Sequence, residues 1–202
     1  GSRFPEVGEN LCLILRVVEY ISNLKCDNTE ISFDVALVSA LDDYLLENVI
    51  TTNGWRLCYP TNKEYPLKLI KNHSIVNIYR DSFMKVVQSS NVLISMAGTA
   101  TEQAALLGKL IVQIEGKGPQ FNSSFAEAQR RLLGTNIFCA NGSVEEEKYM
   151  FATCNLILNL LDKNYKEVFL KEKDNKEILR RKSVESISEI MAKSITNSFL
   201  NY

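Results

Sequence analysis

The residue types that could do chemistry gather in one short stretch, Ser95 to Gln103. Val92-Leu93-Ile94-Ser95 reads as a buried strand. Small residues follow, Ala97-Gly98-Thr99, and then a helical pattern that runs to about Leu107. The first turn of a helix carries unpaired N–H groups and a partial positive charge, and together these suit a phosphate. Gly98 lets the backbone approach a ligand closely. Thr99 and Thr101 offer hydroxyl donors, and either can cap the helix. The same spacing also describes a plain capped helix after a strand, with no ligand at all. Neither the Gly-x-Gly-x-x-Gly spacing nor a P-loop is present, so no dinucleotide or ATPase assignment follows.

A second loop, Glu115-Gly116-Lys117-Gly118-Pro119-Gln120, follows the next strand and is expected to open on the same edge of the sheet. Its glycines permit tight backbone geometry. Gln120 offers a donor and an acceptor together, which suits sugar hydroxyls, and Lys117 carries charge that offsets a phosphate. An ordinary flexible loop is the competing description. His73, the sole histidine, lies between Asn72 and Ser74 and reads as a surface residue. No Ser/His/Asp set and no paired carboxylates stand out, so no catalytic residue is assigned. One histidine and five cysteines without a Cys-x-x-Cys give no metal-ligand cluster.

The elements that must position these groups alternate. Val7, Leu11, Ile14, Val18 and Ile21 recur at spacings of three and four, one apolar helical face after Pro5. A strand is expected over 31–38 and a helix through Leu41, Leu45, Leu46, Val49 and Ile50, closed near Asn53-Gly54. Further strands are expected at 55–59, 75–79, 92–95, 110–114 and 137–139. Helices are expected at 82–89, from the Thr99 region to Leu107 ending at Gly108, and at 125–133 ending at Gly134. From Glu145 onward the pattern is helical only, with a last stripe of Val184, Ile187, Met191, Ile195 and Phe199. Strands alternating with helices imply crossovers, hence an α/β, Rossmann-like, mainly parallel sheet flanked by helices and followed by a helical tail. In such a sheet ligands bind beyond the carboxyl ends of the strands, which is where Ser95–Thr101 falls.

The bulk composition narrows the partners. The chain has 202 residues, 46% of them hydrophobic, with a net charge of −1, so a real core is expected and no global field favours nucleic acid. An odd cysteine count fits a reducing compartment better than a disulfide framework. No apolar run reaches the roughly 18 residues that spanning a bilayer takes. The expectation is a soluble, cytoplasmic protein. The run Lys163–Lys182 holds eight basic and four acidic residues and reads as a solvated face, compatible with peripheral contact at a membrane.

Ala97-Gly98-Thr99-Ala100-Thr101-Glu102-Gln103-Ala104, Leu107-Gly108-Lys109, Gly118-Pro119-Gln120-Phe121 and Phe125-Ala126-Glu127-Ala128-Gln129 together resemble the lipid-A-disaccharide synthase-related family. Gly1-Ser2-Arg3-Phe4-Pro5-Glu6 is similar to that family's Pro-Gly-Ser-Arg turn, without the proline. The likeness spans residues 1–140, and 97–134 is its specific part. It implies the C-terminal, nucleotide-sugar-binding half of a GT-B glycosyltransferase. The nucleotide domain would be 1–144. Residues 145–202 would be helices that pack on it and reach toward an N-terminal acceptor domain. A strand ahead of Gly1 would complete the sheet, if Gly1-Ser2 is native and not a remnant of cloning.

The resemblance also implies roles. Ala97, Gly98, Thr99 and Thr101 would hold the diphosphate of a UDP-sugar, with Ser2 and Arg3 facing the same phosphates. Tyr79 and Arg80 would read the uracil edge, largely through backbone groups, and Gln120 would meet the donor sugar. Related enzymes place a ribose-binding glutamate five residues before the helix-ending glycine; here that position is Gln103, and the glutamate is Glu102. One residue on a helix turns a side chain by about 100°.

The expected function is therefore transfer of a hexosamine-type sugar to a lipidic acceptor, without a cofactor or metal and with the UDP-sugar as substrate. As a fragment the chain would bind but not catalyse. A UDP-sugar epimerase or hydrolase of the same fold, and a non-catalytic interaction module, are the alternatives. The exposed stripe Val184–Phe199 would promote a homodimer of the fragment.

Overall fold

The computed structural model describes residues 5–24, 31–62, 65–96, 98, 99–118 and 122–162. The run Lys163–Lys182, the stripe Val184–Phe199, and Ser2, Arg3, Ala97 and Gln120 lie outside them. The described elements are α1 (Glu6–Leu24), β1 (Phe33–Leu37), α2 (Asp43–Thr51), β2 (Arg56–Cys58), β3 (Leu67–Lys71), β4 (Ser74–Arg80) and α3 (Phe83–Ser89). They continue with β5 (Val92–Ser95), α4 (Thr99–Leu106), β6 (Leu110–Gln113), α5 (Ser123–Leu133), β7 (Ile137–Cys139) and α6 (Glu147–Leu161).

The strands form two sheets, in the orders β1-β4-β3-β2 and β5-β6-β7. The second is parallel throughout, with Val92 to Ser95 opposite Leu110 to Gln113, and Ile111 to Gln113 opposite Ile137 to Cys139. In the first, β1 runs parallel to β4, from Phe33 opposite Val76 to Leu37 opposite Arg80. This is an α/β, Rossmann-like protein, with two departures from a single, mainly parallel sheet: the described strands divide between two sheets, and the first is largely antiparallel. β3 was not expected, and it pairs antiparallel with both β2 and β4. A two-residue turn, Asn72-His73, joins it to β4, and Asn72 takes the left-handed backbone (φ 51) that asparagine tolerates. His73 is exposed at this hairpin tip.

Local chemistry explains the helix ends. Asp42 caps α2, its carboxylate accepting the Leu45 N–H at 2.8 Å. Asn122 caps α5 in the same way, accepting the Phe125 N–H at 2.9 Å. After α4, the Gly108 N–H donates to Ala105 O (2.9 Å) and the Lys109 N–H to Ala104 O (3.2 Å), with Gly108 at φ 71: a Schellman ending that only a left-handed residue can make. The Lys109 ammonium in turn donates to Gln88 O (2.6 Å) and Ser90 O (2.9 Å), closing α3.

Among the described residues two apolar cores result. Val7, Leu11, Leu15 and Val18 of α1 pack with Leu46, Ile50, Trp55, Leu69, Val76 and Ile78 around the first sheet. Gly8 lets α1 approach α2, since a Cβ there would come within 2.9 Å of Val49 Cγ2. Around the second sheet Val87, Ala104, Ala105, Ile111 and Ile137 form a smaller core. The compact unit extends through Leu161, because α6 packs on α1, β5 and β6. Among the described residues no helix is long and apolar enough to cross a membrane.

Candidate functional site

The site is built on the carboxyl end of β5. Met96 is buried, and Gly98 then adopts φ 155, ψ −178, a backbone region essentially restricted to glycine. A Cβ added to Gly98 would meet nothing among the described residues within 4 Å, so its Cα faces open space there. Gly98 is also the N-cap of α4, and no side chain caps that helix. Its carbonyl accepts the N–H groups of Thr101 (3.0 Å) and Glu102 (3.2 Å). The N–H groups of Thr99 and Ala100, both exposed residues, have no carbonyl to reach within the helix. An anion placed there would meet these donors and the positive end of α4.

Thr101 behaves differently from its sequence expectation as a ligand donor. It is 1% exposed, and its hydroxyl bonds Ser95 Oγ and donates to Met96 O, both at 2.8 Å. It therefore stitches the strand end to the helix start from inside. Thr99 is exposed and is the hydroxyl that a ligand can meet.

A carboxamide pair behind the turn was not legible as a site. Gln113 ends β6 at 1% exposure and Gln129 lies on the inner face of α5 at 5%. Gln129 Oε1 accepts from Gln113 Nε2 (2.7 Å) and from the Gly98 N–H (3.3 Å). Gln129 Nε2 donates to Gly98 O (3.2 Å) and to Glu102 Oε1 (3.0 Å). Glu102 is thus held toward α5, and the exposed Gln103 lies one helical step, about 100°, round the helix from it.

The second loop is anchored from α1. Asn10, 2% exposed, accepts the Lys117 N–H at 2.6 Å and donates to Lys117 O at 3.1 Å. The Lys117 ammonium pairs with Glu145 at 2.7 Å, and this hydrogen bond above all holds the Glu145 carboxyl below its usual range. Lys117 charge is already matched within the chain, where the sequence expectation set it against a phosphate.

Tyr79 and Arg80 end β4, in the other sheet. The Arg80 guanidinium donates to Leu41 O (2.8 Å) and pairs with Asp43 Oδ1 (2.6 Å), which ties it to the start of α2. The Arg80 carbonyl accepts from Ser82 Oγ at 2.9 Å, and Asp81 follows in a left-handed conformation, φ 50. Burial, and then the Asp34 carboxylate, push the Tyr79 phenol up, so it stays protonated. The structure thus brings Gly98, Thr99, Thr101 and Glu102 together with Gln113 and Gln129, while Tyr79 and Arg80 belong to a separate network. Among the described residues no group of three or more His, Cys, Asp or Glu gathers to hold a metal ion.

Fold and site define a class: an α/β, Rossmann-like chain with a glycine turn and an uncapped helix start at the carboxyl end of a parallel strand. No family model, curated protein or solved structure matches the chain.

Proposed function

We propose that the chain is the donor-binding half of a GT-B glycosyltransferase related to lipid-A-disaccharide synthase, with the α4 start holding the diphosphate of a hexosamine-type UDP-sugar. The observation that carries this reading is Gly98. A glycine-only backbone conformation, facing open space ahead of an uncapped helix, allows an anion to approach closer than any Cβ would permit. Ser2, Arg3, Ala97 and Gln120 enter from the family resemblance. So do Tyr79 and Arg80 at the base, and Gln103 at the ribose.

In the transfer, the bond from the anomeric carbon to the diphosphate oxygen breaks and its electron pair leaves on UDP. The acceptor hydroxyl oxygen bonds that carbon and its proton passes to a base on the companion acceptor domain. The task of this half is electrostatic: fixed N–H dipoles at Thr99 and Ala100 stabilise the charge that develops on the leaving diphosphate. The acceptor is a lipid on the same resemblance, approached from the cytoplasmic side of a membrane.

The test is a calorimetric titration of UDP, UDP-GlcNAc and GDP into the chain and into a Gly98→Asp variant. Uridine-selective binding that the variant loses is the expected result. Binding that survives the added carboxylate would remove the α4 start as the diphosphate seat. One observation favours a non-catalytic module instead: Lys117, Arg80 and Glu102 are each already paired within the chain. A full-length protein that folds but binds none of the three nucleotides would decide for that second reading.

A further inference from the structure

Gln129 holds the backbone unit of Gly98 by both its groups, as Asn10 holds that of Lys117 in the neighbouring loop. Its carboxamide meets both the N–H and the C=O of Gly98, at 3.3 and 3.2 Å, as the edge of a neighbouring strand would. Gln113 braces it from β6 at 2.7 Å, and both amides are at least nine-tenths buried. The remaining donor of Gln129 holds the Glu102 carboxylate at 3.0 Å. Buried amides of this kind are costly unless every group is matched, and an apolar pair of the same size would fill the space between α5 and β6 without that risk. What the amides add is a fixed backbone at one residue.

We propose that Gln129, braced by Gln113, is a positioning residue for the anion seat. It clamps Gly98 in its glycine-only conformation at the α4 start, where the Thr99 and Ala100 N–H groups have no carbonyl to reach within the helix. It also draws the one carboxylate of the first α4 turns to the α5 side, away from an incoming diphosphate. Because Gln129 Oε1 takes the Gly98 N–H, the ligand's donors are the two amides that follow and the Thr99 hydroxyl. On the reading of the α4 start as a UDP site, the clamp sets diphosphate affinity without touching the ligand.

The test uses Gln129→Met and Gln129→Glu, each with two readouts: UDP affinity by calorimetry, and hydrogen exchange of the Gly98 and Thr101 amides in the ligand-free chain. Methionine keeps the volume and removes both bonds to Gly98. Exchange at Gly98 is expected to accelerate at least tenfold with Thr101 little changed, and UDP affinity to fall at least tenfold. Unchanged Gly98 exchange would overturn the clamp.

Gln129→Glu supplies an internal control should the methionine variant fold poorly. An ionised carboxylate still accepts from Gly98 N–H and Gln113 but opposes Gly98 O and Glu102; once protonated it donates again. The titratable group in contact with this position is Glu102 on α4; the Cys139 thiol on β7 meets Gln113, and Glu127, Arg130 and Arg131 lie on the outer face of α5. Glu127 pairs with both arginines on that outer face, which leaves Glu102 as the charge in direct contact with residue 129. Slow Gly98 exchange and UDP affinity in this variant should therefore both recover as pH falls from 8 to 5.5, relative to the parent chain at each pH. A flat ratio across that range would count against the clamp. If the parent chain binds no UDP, the nucleotide reading falls, and the clamp stands or falls on the exchange data alone.

Discussion

The two sheets solve the same packing problem with opposite chemistry. Around β1-β4-β3-β2 the interior is apolar: Trp55, Leu69, Val76 and Ile78 meet α1 and α2, and the charged pairs, such as Arg80 with Asp43, sit toward the surface. Around β5-β6-β7 the central strand β6 is buried along its whole length, yet it ends in a glutamine. Of the seven buried polar residues among the described residues, Thr101, Gln113 and Gln129 surround Gly98, Asn10 anchors the neighbouring loop, and Asn136 donates to Ala105 O and Lys109 O behind α4. Five of the seven thus fix backbone around the second sheet and its loops, while Ser74 opens β4 and Thr153 lies on α6. Where buried polar side chains cluster around one backbone turn, that turn is a candidate for function.

The comparison breaks most sharply on large truncations. Trp55, 2% exposed, packs in the first core beside the Gly54 turn. Trp55→Ala removes about 3–5 kcal/mol of stability, the usual range for an aromatic truncated in a core. Its effect on the Gly98 site should be nil while the chain remains folded. Denaturant melts combined with Gly98 amide exchange below the midpoint test both halves. Accelerated exchange at Gly98 in the still-folded variant would mean that the two regions are energetically one.

The reciprocal change is Gln113→Leu. It deletes the brace from Gln129, but Gln129 Oε1 keeps the Gly98 N–H as a donor, so no strong buried group is stranded; only the weak Cys139 thiol contact at 3.5 Å goes with it. The cost in stability is about 1 kcal/mol, that of one neutral hydrogen bond. Exchange at Gly98 should nonetheless rise several-fold. A variant as unstable as Trp55→Ala would show that the amides serve packing, and the contrast between the regions would lose its meaning.

The same contrast explains what could be read from the sequence. Strands β5 and β7 and the stop at Gly108 follow from local pattern: short apolar runs bounded by glycine turns. The strand β3 was missed because lysines alternate with Leu67, Leu69 and Ile70, and the turn Asn72-His73 looked like polar surface around a lone histidine. Gly98 was legible because a small-residue turn between strand and helix is a local signal. The partners of the Thr101 hydroxyl, Ser95 and Met96, could not be read because they are set by the tertiary turn. Gln113 and Gln129 pair across 16 residues and two elements, which no spacing rule reveals. A weaker signal did exist. Gln129 falls three residues after the buried Ala126 and four before the core-packed Leu133, a polar side chain on an apolar helical face.

The smallest effect lies on the outer face of the same helix. Glu127 accepts from Arg130 Nε and Nη2, each at 2.7 Å, and from Arg131 Nε at 3.0 Å. Those hydrogen bonds, Arg130's first, hold its carboxyl at about 2, below the ordinary 4.5. A carboxyl whose folded value is depressed contributes stability that is fully present above its unfolded value and is lost as pH falls through the folded one. The contribution of this cluster should therefore be constant from neutrality to about pH 5 and fade between about 4.5 and 2. The side chains are at least one-third open to solvent, so it should also shrink with added salt. Melting temperatures of the parent chain and Glu127→Gln, compared at pH 7 and pH 3, read it directly: the gap between them should narrow at the lower pH while the exchange rate at Gly98, set by the opposite face of α5, stays the same in both proteins. A gap that widens on acidification would reverse the sign and mean that Glu127 is not held by its arginines in solution.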